Sequence, residues 1–431
     1  MPFKLPRMVL VRQNFPDLRI EDVAAEVKRQ LVSSAVKSRL KPGARIAIGV
    51  GSRGIANIAT IVRAAVDYWK QEGMRPFIIP VMGSHGAATA EGQAEVLAHY
   101  GIHEQSMGCP VISQLEVVSL GKTVDNIEAF MDRAAYESDG VMLINRVRWH
   151  TDFSGRIESG LFKMMAIGLG KFAGARRYHS YAYKLGLEHI IRNVGRQVLK
   201  SGKILGGLAI VEDAHHNTAK VEAVATEVME QREEEILELA KSWTGTIPVD
   251  LDVLVIDEMG KEISGGGMDW KVVNRGFQAE RNPYPQIHKF ERIFVRDLTD
   301  LSYGNALGIG VADITTDRLV NKINLQAMYV NGLTSLGLAT IRIPVHLSSD
   351  RECLEAVMQT VGRFEASEVT VGWIRNTLDL SVIALSENLM PQIESNPALE
   401  VLSPARELEF DRNGNVVDVM GQAISQMQTS R

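Results

Sequence analysis

The sequence predicts an α/β protein of two domains, each built on a mainly parallel sheet. Three observations carry that expectation. From residue 44 onward, short apolar runs alternate with stretches whose apolar residues recur at helical spacing. The segment Thr244-Gly245-Thr246-Ile247-Pro248 has the composition of a linker, and a fresh apolar strand follows it. At 431 residues the chain has room for two or three domains.

The elements follow in order. Ala44–Val50 is an apolar strand introduced by Pro42-Gly43. Ile55–Gln71 places Ile55, Ile58, Ile61, Val62, Ala65, Val66 and Trp69 on one helical stripe, and Gly73 ends it. Pro76–Met82 is the next strand. Thr89–Tyr100 is a helix with Thr89 as its N-cap. Gly140–Asn145 and Gly206–Val211 are buried strands, and Glu227–Ser242 is a charged helix. Past the linker, Leu251–Ile256 opens a second set, with βα-like stretches at Leu307–Ile323 and Thr340–Val361. The expected domains are 1–247 and 248–405. The tail 406–431, with a helix in its last part, is expected to pack back on the first domain.

Composition narrows the function classes. The chain is 45% hydrophobic and 23% charged, which excludes disorder over most of its length. Its net charge is −5, with no Lys/Arg cluster that could track a nucleic-acid backbone. It has no apolar run of about 18 residues, so no membrane helix is expected. Cys109 and Cys353 cannot form a disulfide framework or a zinc site by themselves. The N-terminal stretch has no signal-like apolar region. A reduced, cytoplasmic protein that uses neither nucleic acid nor membrane is the expectation.

Gly49-Val50-Gly51-Ser52-Arg53-Gly54 matches the dinucleotide-binding pattern G-x-G-x-x-G between a strand and a helix. A nicotinamide site also needs an acid at the end of the next strand, to hold the ribose. That strand runs into Met82-Gly83-Ser84-His85 and carries none. The glycines then serve a tight strand-to-helix turn, or present Arg53 at the carboxyl edge of the sheet. That edge is the usual ligand crevice of open α/β sheets. His85 and His150 follow two further strands and reach the same edge. Imidazoles suit acid–base work near neutral pH, and an arginine grips a carboxylate with two parallel hydrogen bonds. His215-His216 reads as a solvated loop. His99, His103 and His189 read as structural, and nothing around His288 or His346 suggests a ligand set.

The stretch His150–His179 reads HTDFSGRIESGLFKMMAIGLGKFAGARRYH. Its core, Ser159-Gly160-Leu161-Phe162-Lys163 followed by Ile167-Gly168-Leu169-Gly170, resembles a signature of the nickel-dependent lactate racemase family. There a Ser-Gly-x-x-Lys segment stands between two histidines. Gly51-Ser52-Arg53 and Gly83-Ser84-His85 occupy the places of two upstream family loops. The order Arg53, His85, His150, Lys163, His179 is kept. The resemblance covers the first domain well and the second in outline. Val50 stands where the family has an Asp, and the segment between His150 and Lys163 is slightly longer.

The resemblance implies a nickel-pincer nucleotide, a sulfur-bearing pyridinium mononucleotide, attached covalently at Lys163. It makes His179 the nickel ligand and His85 and His150 the acid–base pair. Arg53 becomes the anchor for a substrate carboxylate. Ser159 and Gly160, with Ser52, would lie against the cofactor. Lys271 is the candidate for the family's second-domain lysine, and Lys261 is its rival. Accessory proteins that make and insert the cofactor would be partners. The implied reaction is racemisation or epimerisation of a 2-hydroxy acid in an interdomain active-site cleft.

Asn145-Arg146-Val147-Arg148-Trp149-His150 and Asp152 are too polar and bulky for a methyl pocket. They favour a malate- or sugar-acid-like substrate over lactate. The alternatives are an NAD-dependent dehydrogenase using the glycine loop and a non-catalytic nucleotide- or carboxylate-binding protein.

Overall fold

The structure, a computed structural model, describes residues 5–34, 36, 40–51, 54–151 and 153–420. The chain divides into two compact units, Asp17–Thr244 and Met1–Pro16 with Gly245–Arg431. The expected assignment of residues 1–16 to the first domain is thereby corrected. Strand β1 (Met8–Gln13) pairs antiparallel with Val382–Ser386 and Leu399–Val401, so its ladder hydrogen bonds bind it to the second unit. The tail is corrected in the same way. Arg406 bridges Met8, and Val416 and Met420 enter the core of that second unit. No helix forms over 406–420, and residues 421–431 lie outside the described residues. No helix among the described residues is long and apolar enough to cross a membrane.

In Asp17–Thr244 a five-stranded sheet runs in the order β3-β2-β6-β7-β8. Its strands are β2 (Arg45–Val50), β3 (Arg75–Pro80), β6 (Gly140–Arg146), β7 (Ile204–Glu212) and β8 (Thr218–Ala225). The first four are parallel and β8 returns antiparallel. A separate hairpin joins β4 (Val117–Lys122) to β5 (Glu128–Asp132). Strands β2 and β3 are buried at every position after the first. That is the pattern of parallel strands covered on both faces.

Helices α1 (Val23–Ser33) and α2 (Ile58–Gln71) pack together on a core of Ile46, Ile48, Val62, Val66 and Trp69. Each such side chain contributes about 1.5–3 kcal/mol by leaving water. Helix α3 (Ala90–His99) starts at the expected cap, Thr89, whose hydroxyl accepts from Gly92 N at 3.0 Å. Then come α4 (Lys171–Leu185), α5 (Leu187–Leu199) and α6 (Met229–Trp243).

The second unit carries an eight-stranded mixed sheet, β12-β11-β10-β9-β13-β14-β1-β15. Its strands are β9 (Leu251–Met259), β10 (Phe290–Leu298), β11 (Ile314–Thr316), β12 (Val345–Leu347), β13 (Val371–Ile374), β14 (Val382–Ser386) and β15 (Leu399–Val401). The run from β12 to β13 is parallel, and β14 and β1 are antiparallel to their neighbours.

Candidate functional site

Because β3, β2, β6 and β7 are parallel, their carboxyl ends share one edge of the sheet. The chain passes from β2 outward to β3 and then returns to the far side of β2 as β6, so the edge between β2 and β6 is a topological switch point. Gly51 ends β2 against Asn145 of β6, and a Cβ there would stand 2.7 Å from Asn145 Oδ1. A Cβ on Gly49 would lie 2.8 Å from Val81 and 2.9 Å from Leu143. These two glycines serve close packing of strand ends.

Past Gly54, Glu212 accepts from Ala56 N at 2.8 Å and pairs with Arg146, which also donates to Gly54 O at 3.2 Å. A carboxylate thus uses an amide that a nucleotide phosphate would need. Helix α2 itself begins only at Ile58. Ser52 and Arg53 lie outside the described residues, as does Asp152.

His85 follows β3 and is half-buried. Its loop is gripped from beneath. Buried Gln93 donates to Gly83 O at 2.9 Å and to His85 O at 3.4 Å. His150 follows β6 and is also half-buried. Its backbone N–H donates to buried Glu158 at 2.6 Å, and its ring lies on Phe153 with centroids 4.6 Å apart. The ammonium of Lys163 stands 5.8 Å from the centroid of the same Phe153 ring, within cation–π range.

Lys163 closes a helical turn, Leu161–Lys163, that continues as the π-helical turn Met164–Gly168 and then as α4. Single π turns are rare and recur at functional sites. Gly160 begins the turn with φ 91°. The first amides, of Leu161 and Phe162, donate to the buried carboxyl of Glu233 on α6 at 2.7 and 3.2 Å. Burial pushes Glu233 up to about 8, against the pull of those two amides.

His179 lies on α4, 16 positions after Lys163. Its proton affinity is lowered, first by crowding from surrounding protein atoms and second by the charge on Lys163. Its side chain is nonetheless exposed at the surface of the helix. A neutral imidazole is the form that binds metals. Lys163 therefore shares the Phe153 ring with His150, and its charge is felt at His179.

No protein-family model matches the chain, and no curated protein is similar to it at a significant level. Among solved structures, the chain is similar to the lactate racemase apoprotein from Thermoanaerobacterium thermosaccharolyticum. The TM-score is 0.50 at 14% identity, over 79% of this chain and 87% of that one. The fold is lactate-racemase-like.

Within that fold, other expected residues are engaged inside their own unit. Ser159 Oγ accepts from Arg148 N at 2.8 Å and donates to Arg148 O at 2.5 Å. Gly160 O accepts from Asn145 Nδ2 at 3.1 Å. Arg146 is spent on Glu212, so two of the polar groups before His150 turn inward. In the second unit Lys271 is buried, its ammonium 5.4 Å from the centroid of Tyr284. Lys261 donates to Gly265 O at 2.6 Å. Both cysteines are buried, with thiols pushed up to about 11 at Cys109 and about 12 at Cys353, too high for ready nucleophiles.

Sequence reasoning missed Glu233, Glu158, Gln93 and the buried pair of Lys171 and Asp132. Each supports a segment that carries a candidate residue. Among the described residues no group of three or more His, Cys, Asp or Glu side chains could hold a metal ion.

Proposed function

We propose that the protein is a racemase or epimerase of 2-hydroxy acids that works with a nickel-pincer nucleotide held on Lys163. The observation that carries this reading is the placing of Lys163 and His150 against one ring, Phe153, with His179 on the helix that continues from Lys163. The lactate-racemase-like fold supports it.

The residues fit the cofactor in part. Lys163 offers a primary amine at a half-buried position for covalent attachment, and His179 offers an exposed imidazole whose protonated form is disfavoured by crowding and by the Lys163 charge. A single protein imidazole suits an ion whose other ligands come from the cofactor itself. The contact implied for Ser159 and Gly160 is not carried forward. The Ser159 hydroxyl already pairs with Arg148 in both directions, and Glu233 covers the first amides after Gly160.

Breaking the C2–H bond of a hydroxy acid by deprotonation would place a carbanion beside a carboxylate. When bound, the nickel-pincer nucleotide supplies a two-electron acceptor for the C2 hydrogen, which avoids that charge. The chain's own residues manage the protons. A ring nitrogen of His85 or His150 takes the hydroxyl proton, and the other imidazole returns one on the opposite face. Arg53 grips the carboxylate and keeps the keto acid from leaving; Lys271, buried in the second unit, is not carried forward as an anchor. Accessory proteins deliver the cofactor. A malate- or sugar-acid-like substrate now rests on Arg148 and Asp152, since Asn145 and Arg146 are committed inward.

Mass spectrometry and nickel analysis of protein from its native host test the reading. A mass excess on the peptide containing Lys163, with nickel near one per chain, is expected. Unmodified Lys163 in protein from that host overturns it.

A further inference from the structure

We propose that Lys171 is a positioning residue that ties the loop bearing His85 to the segment bearing Lys163 and His179. Lys171 opens α4, eight residues after Lys163 and eight before His179, and its side chain is fully buried. Its ammonium donates to Pro80 O, at the end of β3, at 2.6 Å and to Gln93 Oε1 at 3.3 Å. The Gln93 amide in turn holds Gly83 O and His85 O. One cation therefore fixes the end of the strand and, through one side chain, the two carbonyls of the histidine loop. Asp132, also fully buried, stands 3.1 Å from the ammonium, in ionic contact but without an aligned hydrogen bond on that oxygen.

The backbone between the two segments is shaped for this link. A Cβ on Gly168 would stand 2.4 Å from Val81 Cγ1 and 2.9 Å from Val81 O. A Cβ on Gly83 would stand 3.0 Å from Ile167 Cγ2. Lys171 itself adopts φ 51°, a left-handed conformation that a side-chain-bearing residue takes only when its surroundings impose it.

Stability alone does not explain the pair. Taking a lysine and an aspartate out of water is costly, and apolar residues of similar volume usually serve as well or better. What they cannot supply is a donor to Pro80 O and Gln93. The link is read from the geometry alone, while its consequence for turnover rests on the proposed racemase reading.

The test uses the full chain. In Lys171→Met/Asp132→Asn both charges go together, so neither is left buried alone, and the Asn keeps an acceptor for Ala135 N, which Asp132 now caps at 2.9 Å. Gln93→Leu is the second variant; it cuts the connection to the loop and leaves the ammonium on Pro80 O and beside Asp132. Amide hydrogen exchange is measured on cofactor-free protein. At least tenfold faster exchange over residues 83–88 is expected in both variants, with Ile58–Gln71 unchanged. Loaded enzyme should then lose at least tenfold in kcat with KM changed less than twofold, and Lys171→Arg should not rescue it. Unchanged exchange over 83–88 in the variants that fold overturns the proposal, whatever the activity. Faster exchange with unchanged kcat also overturns it, leaving a tether without a positioning role. If wild-type protein carries no adduct on Lys163, the racemase reading fails while the exchange result still decides the link.

Discussion

Replacing Glu233 by Gln should change how the stability of the Asp17–Thr244 unit depends on pH. The carboxyl is buried and accepts from Leu161 N at 2.7 Å and Phe162 N at 3.2 Å. Burial raises it from 4.5 to about 8. The folded state then holds a proton that the unfolded chain has already lost. Stability is greatest below the unfolded value and falls as pH climbs from about 4.5 through about 8. A rise of that size disfavours the ionised fold by about 5 kcal/mol above pH 8, and by about 3 kcal/mol at pH 7. Glu233→Gln keeps the oxygen that both amides share but turns its NH2 toward Phe162 N, which now stands 3.3 Å from the other oxygen, at a cost of about 1–3 kcal/mol. The variant should be less stable than wild type at pH 5 and more stable at pH 8, the curves crossing between. Urea unfolding, followed by hydrogen exchange of peptides from residues 17–244, reads this unit by itself. Parallel curves from pH 5 to 8 would refute the reasoning, because they would mean that the two amides keep Glu233 ionised throughout.

Lys163→Ala and Lys163→Arg should both fold and both lack the adduct, since neither side chain can form the lysine linkage; full turnover by either removes Lys163 from the mechanism. His179→Ala should lose nickel, whereas His85→Ala and His150→Ala keep it, and equal metal content in the three purified proteins would show the ligand to be another group. Arg146→Met strands Glu212, whose side chain is nearly buried, and should cost about 3–5 kcal/mol in urea melts. Adding Glu212→Gln should recover most of that loss, and no recovery would mean that the arginine acts by packing rather than by charge.

Strands β2, β3, β6, β7 and β9 were legible because each is buried along most of its length and reads as an apolar run. Parallel β10, interrupted by charged residues, and the four-residue β13 were not, and nor were antiparallel β1 and β15. Their partners lie almost 400 positions away in sequence, and β15 is largely exposed. The β4–β5 hairpin was missed for a related reason, since β4 has no fully buried position to set a period. In the site, the sequence pattern pointed to the candidate residues and hid those that support their segments. Glu233 sits in Arg232-Glu233-Glu234-Glu235, which reads as a solvated face. Yet it falls in helical register with Met229, Ile236, Leu237 and Ala240, all of them buried. That register was the available signal. Lys171 had a similar one, a charge set between Leu169-Gly170 and Phe172-Ala173.

Three carboxylates share a task along the carboxyl edge of the sheet. Glu212 takes Ala56 N, Glu158 takes His150 N, and Glu233 takes the amides of Leu161 and Phe162. Each is buried or nearly so, and each occupies backbone donors of a loop that carries candidate residues. Open α/β sheets often bind anions with such amides. Here those amides are already engaged by the chain's own acidic side chains and are closed to a second anion. On the proposed reading a carboxylate substrate is therefore held by side chains. Lys163 shares the Phe153 ring with His150, and Arg53 follows β2 in sequence. The same carboxylates fix the backbones from which His150 and Lys163 project. On the proposed reading, recognition by side-chain cations on segments held by buried acids is thus the division of labour to which this edge is suited.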